Sequence, residues 1–288
     1  MCRCRCGNVS RVQRGLLEVC VLGLALGGGG ARGLCHVGVW HELEQLEVRP
    51  EVIAGTSMGG IIGALIAAGH DAAKIREISE SVDWWKVLNW GLSGRVLSTK
   101  RLRSFLGQYL PETFEELETP LVVVATDVAS GTTRYLHSGN LLAAVHASAA
   151  FPGVLEPVRV GSDLLMDGGM LNQLPVDAAH FFGAKNVVAV NATALEAVDM
   201  TKESQPVPTG RFINGTFKEA VRGIEIMQAQ LIKVRLSLFP PDVLIDPQMD
   251  DVGFTSFNKF QRAAEAGEKA TRELAEQLKA LVLSLIHI

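Results

Sequence analysis

The chain alternates short apolar runs with stretches whose apolar residues recur at helical spacing. Strands buried on both faces are predicted at Val19–Leu26 and Val187–Asn191, because neither run alternates polar with apolar residues. A helical face follows the first run from Ala31 to Glu47, and another helix is predicted at Met58–Gly69, after a short strand at Val52–Ala54. Strands alternating with helices are typical of βαβ units, so the sequence predicts an α/β fold with a mainly parallel sheet.

The same pattern predicts how the chain is divided. Two hairpins are expected at residues 121–137 and 155–166, where apolar runs flank short turns that contain glycine. No internal repeat or long linker interrupts the pattern, so we expect one domain at residues 20–285, mostly helical in its C-terminal part. Residues 1–18 and 284–288 continue no periodic pattern, and we expect ragged ends there.

Composition narrows the class of protein. Hydrophobic residues make up 48% of the 288 residues and charged residues 20%, which is enough apolar material for a large core. The net charge is −4 and no basic stripe carries interleaved aromatic residues, so nucleic acid is not an expected partner. No apolar run reaches the roughly 20 residues of a membrane span. The five cysteines lack paired spacing, which argues against disulfides and zinc and favours a reducing, cytoplasmic compartment.

The first chemically informative motif is Gly55-Thr56-Ser57-Met58-Gly59, a G-x-S-x-G between a predicted strand and a predicted helix. In that context the chain turns sharply at the serine, and Gly55 and Gly59 leave room for the turn. Ser57 would then project above the sheet as a nucleophile, near the positive end of the helix dipole. A glycine-rich helix start with Ser57 as its N-cap is the structural alternative.

A second glycine-rich turn, Gly28-Gly29-Gly30-Ala31-Arg32-Gly33, follows the first predicted strand. It fits the G-x-G-x-x-G of dinucleotide-binding folds, whose backbone N–H groups hold a pyrophosphate. Those folds also place an acidic residue about 20 residues further on, at the end of the second strand, and none stands there. The same N–H groups could instead stabilise an oxyanion formed at Ser57. A plain turn is the remaining alternative.

The third motif, Asp167-Gly168-Gly169, comes directly after the apolar run 164–166. A carboxylate at a strand end, followed by glycines that allow close approach of another loop, is placed as a catalytic group would be in an α/β sheet. An Asx turn that closes the hairpin needs no function and is the alternative.

The histidines bear on which group acts as the base. In the chain order of the α/β-hydrolases, a catalytic histidine follows the acid. Only His180 and His287 follow Asp167; His180 lies in an apolar helical stretch, and His287 lies in the ragged tail. The sequence therefore favours a Ser57/Asp167 dyad over a Ser-His-Asp triad. A conventional triad esterase and a non-catalytic regulatory protein with the same fold both stay open.

Taken together, these motifs resemble the patatin-like phospholipases. Four blocks stand in that family's order: Gly-Gly-Gly-Ala-Arg-Gly at 28–33, Gly-Thr-Ser-Met-Gly at 55–59, Ala-Ser-Ala-Ala-Phe-Pro at 147–152 and Asp-Gly-Gly at 167–169. The resemblance extends over about residues 20–195, and by its length the chain looks like short stand-alone bacterial members related to the neuropathy target esterase. It implies a three-layer α/β/α fold with a mainly parallel central sheet.

The resemblance also implies a chemistry, the hydrolysis of fatty acyl esters of phospholipids, lysophospholipids or related lipids. Ser57 would be the nucleophile and Asp167 the base. The glycine loop with Arg32 and Gly33 would form the oxyanion hole, although Arg32 could equally hold a lipid phosphate or form a structural salt bridge. No metal or other cofactor is implied. The expected partner is the lipid substrate, with peripheral contact at the inner membrane face as an option and no oligomeric state implied.

The apolar side chains that follow Ser57 could border an acyl pocket or a lid, together with an aromatic stretch further along the chain. Core packing is the alternative for all of them. The residues concerned are Ile61, Ile62, Leu65, Ile66, Trp84, Trp85 and Trp90.

Overall fold

The computed structural model describes residues 22–84, 99–193 and 215–286. Trp85 and Trp90, the expected ragged start at residues 1–18 and the first residues of the predicted strand at 19–21 lie outside the described residues.

A single mixed sheet forms the centre of the fold. Its order is β5-β6-β3-β2-β1-β7-β8, and β4 pairs with β3 beside this path. Neighbours from β3 through β2, β1 and β7 to β8 are parallel, whereas β4, β5 and β6 pair antiparallel. The strands are β1 (Leu22–Leu26), β2 (Val52–Thr56), β3 (Leu121–Asp127), β4 (Thr132–Leu136), β5 (Val158–Val160), β6 (Asp163–Asp167), β7 (Asn186–Val190) and β8 (Val243–Ile245).

Helices pack on both faces of this sheet, and the prediction of an α/β fold with a mainly parallel central sheet is confirmed. The helices are α1 (Cys35–Gln45), α2 (Met58–Ala67), α3 (Ala72–Ser81), α4 (Thr99–Leu106), α5 (Leu141–Ser148), α6 (Val176–Phe181), α7 (Gly215–Leu238), α8 (Phe260–Glu273) and α9 (Ala275–Ile286). Short 3₁₀ turns lie at Gly30–Leu34, Phe114–Glu116, Gly168–Met170 and Phe257–Lys259.

The central parallel strands β1, β2, β3 and β7 are mainly apolar because their two faces pack in separate cores. In β1, Leu24 and Leu26 contribute to the core that also contains α1 and α2 side chains, whereas Ala25 faces the core with α6 and α7. Since successive side chains of a strand point to opposite faces, an apolar run without alternation is what a sheet covered on both sides requires. The fold thus has three layers.

The secondary structure differs from the sequence prediction in two places. The segment carrying Pro240, Pro241 and Pro247 was expected only to separate helices, but it contains β8, a three-residue strand parallel to β7. Helix α9 continues to Ile286, so residues 284–286 are helical rather than ragged.

The helices within the described ranges all fall short of the combination of length and apolar character that crossing a bilayer demands.

Candidate active site

The sheet register brings the first and third motifs together. Thr56, the last residue of β2, pairs with Val124 of β3, and the next β3 residue, Ala125, pairs with Asp167 of β6. Strand β6 therefore continues along the edge of β3 where β2 ends. The residue after β2 and the last residue of β6 meet there, although 110 positions separate them in the chain.

Ser57 occupies a sharp turn between β2 and α2. Its backbone has φ 53° and ψ −121°, a conformation that residues with a side chain rarely adopt. The Ser57 N–H donates to Ser148 Oγ at 2.8 Å, and the Ser57 hydroxyl donates to Asp167 Oδ2 at 2.7 Å. Ser57 occupies the N-cap position of α2, but its side chain makes no capping hydrogen bond there.

The two glycines that flank Ser57 allow very close packing of the backbone. A Cβ atom on Gly59 would lie 2.2 Å from the Leu26 carbonyl oxygen, and one on Gly55 would lie 2.6 Å from the Gly59 carbonyl oxygen. Real Cβ atoms do not approach backbone that closely, so these positions require glycine. The start of α2 can then lie directly against the ends of β1 and β2.

The strain at Ser57 gives a prediction about stability. Ser57→Gly and Ser57→Ala both remove the hydroxyl, but only glycine also relieves the positive φ. We expect Ser57→Gly to be more stable than Ser57→Ala by about 1 kcal/mol. Urea unfolding of the two variants measures the difference. An equal or lower stability of the glycine variant would show that the turn stores no strain.

The Asp167 carboxyl is almost completely buried, with 1% of the residue exposed. Its Oδ1 accepts the Gly169 N–H at 2.7 Å, and its Oδ2 accepts the Ser57 hydroxyl. Burial raises the pKa of this carboxyl to about 7, and the hydrogen bonds from Ser57 and Gly169 act in the opposite direction. A carboxyl with this pKa can exchange a proton near neutral pH.

In the glycine loop, the N–H of Gly28 differs from the expected oxyanion donor. The Gly28 N–H donates to the Gln173 carbonyl oxygen at 2.9 Å, so this group is not free to bind an oxyanion. The N–H groups of Gly29 and Gly30 donate to no other described residue. Gly30 has φ 57°, which turns the chain into the 3₁₀ segment. Gly33 lies inside that segment against Met58, where a Cβ would come within 2.6 Å of the Met58 Cβ, so its role there is close packing.

A further candidate oxyanion donor, the Met58 N–H, lies outside the glycine loop and was not predicted from the sequence. The Met58 N–H lies in the first turn of α2, directly after Ser57, and it donates to none of the other described residues. The strand–Ser–helix context was the available signal, since the residue after a nucleophile of this kind commonly contributes to the oxyanion hole.

The sequence left three roles open for Arg32: stabilising the oxyanion, holding a lipid phosphate, or forming a structural salt bridge. In the structure Arg32 forms a salt bridge. Its Nη1 forms an ion pair with Glu225 of α7 at 2.8 Å, and its Nε donates to the Val252 carbonyl oxygen at 2.8 Å. Both Arg32 and Glu225 are largely buried. The guanidinium therefore ties α7 to the 3₁₀ segment that follows the glycine loop.

One face of α7 holds the site loops in place, which the sequence pattern did not predict. Gln228 Nε2 donates to the Gly169 carbonyl oxygen at 3.1 Å, and Arg235 Nε donates to the Leu171 carbonyl oxygen at 3.0 Å. Glu225, Gln228 and Arg235 are spaced by three and seven residues, so they share one side of the helix. Polar residues at these positions would usually indicate a solvated face, which is why the pattern does not identify them.

Histidine takes no part in the contacts of Ser57 and Asp167 in the described ranges. His180 Nδ1 lies 2.9 Å from the Ala184 carbonyl oxygen, and His36 Nε2 lies 2.7 Å from the Gly27 carbonyl oxygen. Burial lowers the pKa of His36 to about 4, so it is neutral near pH 7. His287 lies outside the described residues. Among the residues that the structure describes, no three His, Cys, Asp or Glu side chains are grouped as a metal site would require.

A small apolar cavity of about 30 Å³ opens beside Ser57. Ile61, Ile62, Leu65 and Ile66 all belong to the core, and of these four only Ile61 also lines the cavity. Trp84 is buried behind the wall and stacks on Phe257, with ring centroids 5.4 Å apart. The full lining is Gly30, Ser57, Met58, Ile61, Ala149, Phe151, Val154, Phe254 and Phe257.

Comparison with known proteins finds a matching family model and relatives of similar description. The family model described as patatin-like phospholipase matches residues 24–180. Human patatin-like phospholipase domain-containing protein 6 is 32% identical over 209 residues, which are 68% of this chain and 15% of that protein. An uncharacterized NTE family protein of Mycobacterium tuberculosis is 31% identical over 272 residues, 87% of this chain and 46% of that protein. The chain thus spans less than half of the length of these two curated relatives.

A solved structure shares the fold. VipD from Legionella pneumophila aligns with a TM-score of 0.57 at 16% sequence identity, over 90% of this chain and 67% of that chain.

Proposed function

This chain belongs to the patatin-like phospholipase family, and we propose that it is a serine hydrolase that cleaves fatty acyl esters of phospholipids, lysophospholipids or related lipids. The proposed catalytic pair is Ser57 and Asp167. The observation that carries the proposal is the 2.7 Å hydrogen bond from the Ser57 hydroxyl to a buried Asp167 carboxyl.

In the first step, Ser57 Oγ attacks the carbonyl carbon of the ester while its proton passes to Asp167 Oδ2. The electron pair of the C=O bond moves to the oxygen and gives a tetrahedral oxyanion. When the C=O bond re-forms, the bond to the alcohol oxygen breaks, and Asp167 returns the proton to the leaving alcohol. The acyl group stays on Ser57. In the second step, Asp167 takes a proton from a water molecule whose oxygen attacks the carbonyl carbon of the acyl-enzyme. The bond from this carbon to Ser57 Oγ then breaks, Asp167 returns the proton to Ser57 Oγ, and the fatty acid leaves.

The proposed oxyanion donors are the N–H groups of Gly29, Gly30 and Met58. Met58 follows Ser57 directly, Gly30 lines the cavity beside Ser57, and Gly29 precedes Gly30 in the glycine loop. Each of the three N–H groups lacks an acceptor among the described residues. Donors fixed before the reaction stabilise developing charge at little cost in reorganisation, and in other enzymes the loss of one lowers kcat by about 10²–10³. Gly28 and Arg32, which bind other groups, have no place in this set.

The base and the cavity both support an ester substrate. A carboxylate is a weak base for an alcohol, so it suits esters, whose leaving group departs more easily than that of an amide. The cavity beside Ser57 is lined mainly by apolar side chains, among them Met58, Ile61 and Phe151, which favour an acyl chain over a polar one. At about 30 Å³ it holds little more than a water molecule or two, so its walls must move to admit a long chain.

Peripheral contact with a lipid surface forms part of the proposal. The outer face of α7 exposes four large apolar side chains, Ile226, Met227, Val234 and Leu238, each at least 50% exposed. The opposite side of the same helix contacts Gly169 and Arg32 of the site. Four large apolar side chains exposed on one face of a helix are typical of a surface that contacts a partner or a lipid.

A substrate panel tests the function. Purified protein is offered short p-nitrophenyl esters, a lysophospholipid, and a diacyl phospholipid in vesicles, with Ser57→Ala as the control for each. We expect hydrolysis of the esters and faster release of fatty acid from the lipids than from a matched amide. Absence of Ser57-dependent turnover across the panel would favour the non-catalytic alternative.

The pH dependence of hydrolysis should follow the ionisation of Asp167, whose pKa is raised by burial to about 7. Only the ionised carboxylate can accept the Ser57 proton. We therefore expect kcat/KM to fall about tenfold per pH unit below pH 7 and to level off above it. Initial rates with a soluble ester from about pH 5 to 9 measure this profile. A rate that stays constant down to about pH 5 would contradict Asp167 as the base.

A further inference from the structure

We propose that Thr193 is a positioning residue that orients the Gly29 N–H toward the reacting oxygen. The inference rests on the proposed function, since it assigns a task to a side chain outside the four sequence motifs. Thr193 lies three residues after β7, which pairs with β1, so its loop runs beside the glycine loop.

The Thr193 hydroxyl is bonded directly to the glycine loop. Thr193 Oγ1 donates to the Gly28 carbonyl oxygen at 3.1 Å, and it accepts a hydrogen bond from Gln173 Nε2 at 3.1 Å. The Gly28 N–H in turn donates to the Gln173 carbonyl oxygen. Both backbone polar groups of Gly28 are therefore held.

The bond to the Gly28 carbonyl matters because of the peptide plane. The Gly28 carbonyl and the Gly29 N–H belong to one planar trans peptide, in which the C=O and N–H bonds point in opposite directions. Fixing the carbonyl on Thr193 therefore fixes the direction of the Gly29 N–H. Without that bond, glycine on both sides of the peptide leaves it free to rotate, since neither residue has a Cβ to restrict its dihedral angles.

Thr193 is itself held firmly. Asn191 Oδ1 accepts the Thr193 N–H at 3.0 Å, while Asn191 Nδ2 donates to the Thr193 carbonyl oxygen at 2.7 Å and to Asp246 Oδ1 at 2.7 Å. Asn191 and Asp246 follow directly after the neighbouring strands β7 and β8. The hydroxyl is thus anchored to the ends of two strands.

The same network reaches the Asp-Gly-Gly motif. Gln173 Nε2 lies 3.5 Å from Gln228 Oε1, and Gln228 Nε2 donates to the Gly169 carbonyl oxygen at 3.1 Å. The Gln173 side-chain oxygen is packed so closely between the two loops that a Cβ on Gly28 would lie 2.5 Å from it, and one on Gly169 would lie 2.0 Å from it. One buried amide therefore sets the spacing between the oxyanion loop and the loop of the base.

Thr193→Val tests the hydroxyl, because valine keeps the shape and removes the donor. We expect kcat for a soluble ester to fall at least about tenfold with KM changed less than about twofold, since an oxyanion donor acts on the transition state. Thr193→Ser, which restores the hydroxyl, should lie within about threefold of wild type. The matched control is Thr271→Val in α8, which also removes a buried hydroxyl that donates to a backbone carbonyl, here Gly267 at 2.8 Å, and which should leave kcat unchanged.

Hydrogen exchange of the peptide covering residues 27–33 gives a readout that needs no activity. Thr193→Val should speed exchange there, and Thr271→Val should not. If exchange speeds up but wild type cleaves no ester, the network stands and the proposed function fails. The inference is overturned if exchange and kcat are both unchanged in Thr193→Val, if Thr193→Ser loses as much kcat as Thr193→Val, or if KM rises while kcat holds.

Discussion

Ser57→Ala is expected to lower ester hydrolysis by at least about 10⁴-fold while the protein stays folded. The covalent step has no substitute, because the acyl group must be carried on Ser57 Oγ. The fold should persist because alanine keeps the Cβ that the turn at Ser57 already accommodates. The hydrogen bond from the Ser57 N–H to Ser148 is made by the backbone and also remains.

Labelling identifies the nucleophile independently of substrate choice. A fluorophosphonate probe should modify wild type at Ser57 and leave Ser57→Ala unmodified, as peptide mass spectrometry can determine. Ser79→Ala is a matched control, because Ser79 is also buried but lies in α3, where its hydroxyl has no hydrogen-bond partner among the described residues. Modification of another serine, or turnover that survives in Ser57→Ala, would remove Ser57 from its proposed role.

The sequence was most informative where structure depends on neighbours in the chain. The strand–turn–helix at Ser57 follows from an apolar run, two glycines and a helical pattern, all within about 15 residues, and the structure has these elements in that order. The parallel sheet was also predictable from short stretches of the chain. A strand that is covered on both faces needs apolar residues at nearly every position, and such runs can be recognised one strand at a time. Strand β8 was not, because three residues among prolines carry too little pattern.

Partners distant in the chain account for what the sequence could not provide. From the sequence, Gly28 was a reasonable candidate oxyanion donor. In the structure its N–H donates to the carbonyl oxygen of Gln173, which lies 145 positions later in the chain. Arg32 could have served a phosphate as well as a salt bridge, and only Glu225, 193 positions away, decides between them. Thr193 belongs to no recognisable motif. Its role depends on β7 lying next to β1, a pairing that residue spacing does not encode.

Asp167→Asn is expected to be about as damaging to hydrolysis as Ser57→Ala. The amide keeps an oxygen that can accept the Gly169 N–H, but its nitrogen now donates toward Ser57 Oγ, so the serine proton has no acceptor. Because the two groups act as a unit, losing either should cost about the same. Initial rates of the two single variants and of the double variant measure this, and the double variant should be no worse than either single one.

The same substitution should stabilise the folded protein at neutral and alkaline pH. Burial raises the pKa of Asp167 from 3.8 to about 7, so the folded state favours the protonated carboxyl. Wild type therefore loses stability as pH rises from about 4 to 7, and above pH 7 the full penalty of the buried charge, on the order of a few kcal/mol, is present. Asparagine carries no charge, so the stability advantage of Asp167→Asn should grow over this range and then stay constant.

The histidine variant separates the dyad from a triad. His180→Ala should retain hydrolysis within about twofold of wild type, since the His180 ring is bonded to the Ala184 carbonyl rather than to the site. A His180 variant as inactive as Ser57→Ala would make Asp167 the orienting member of a triad. A less stable Asp167→Asn at pH 8 would contradict the raised pKa of the Asp167 carboxyl. If His180→Ala is active, and if Asp167→Asn is both inactive and more stable than wild type, then the buried Asp167 carboxylate lowers the stability of the fold and is retained for its proton chemistry.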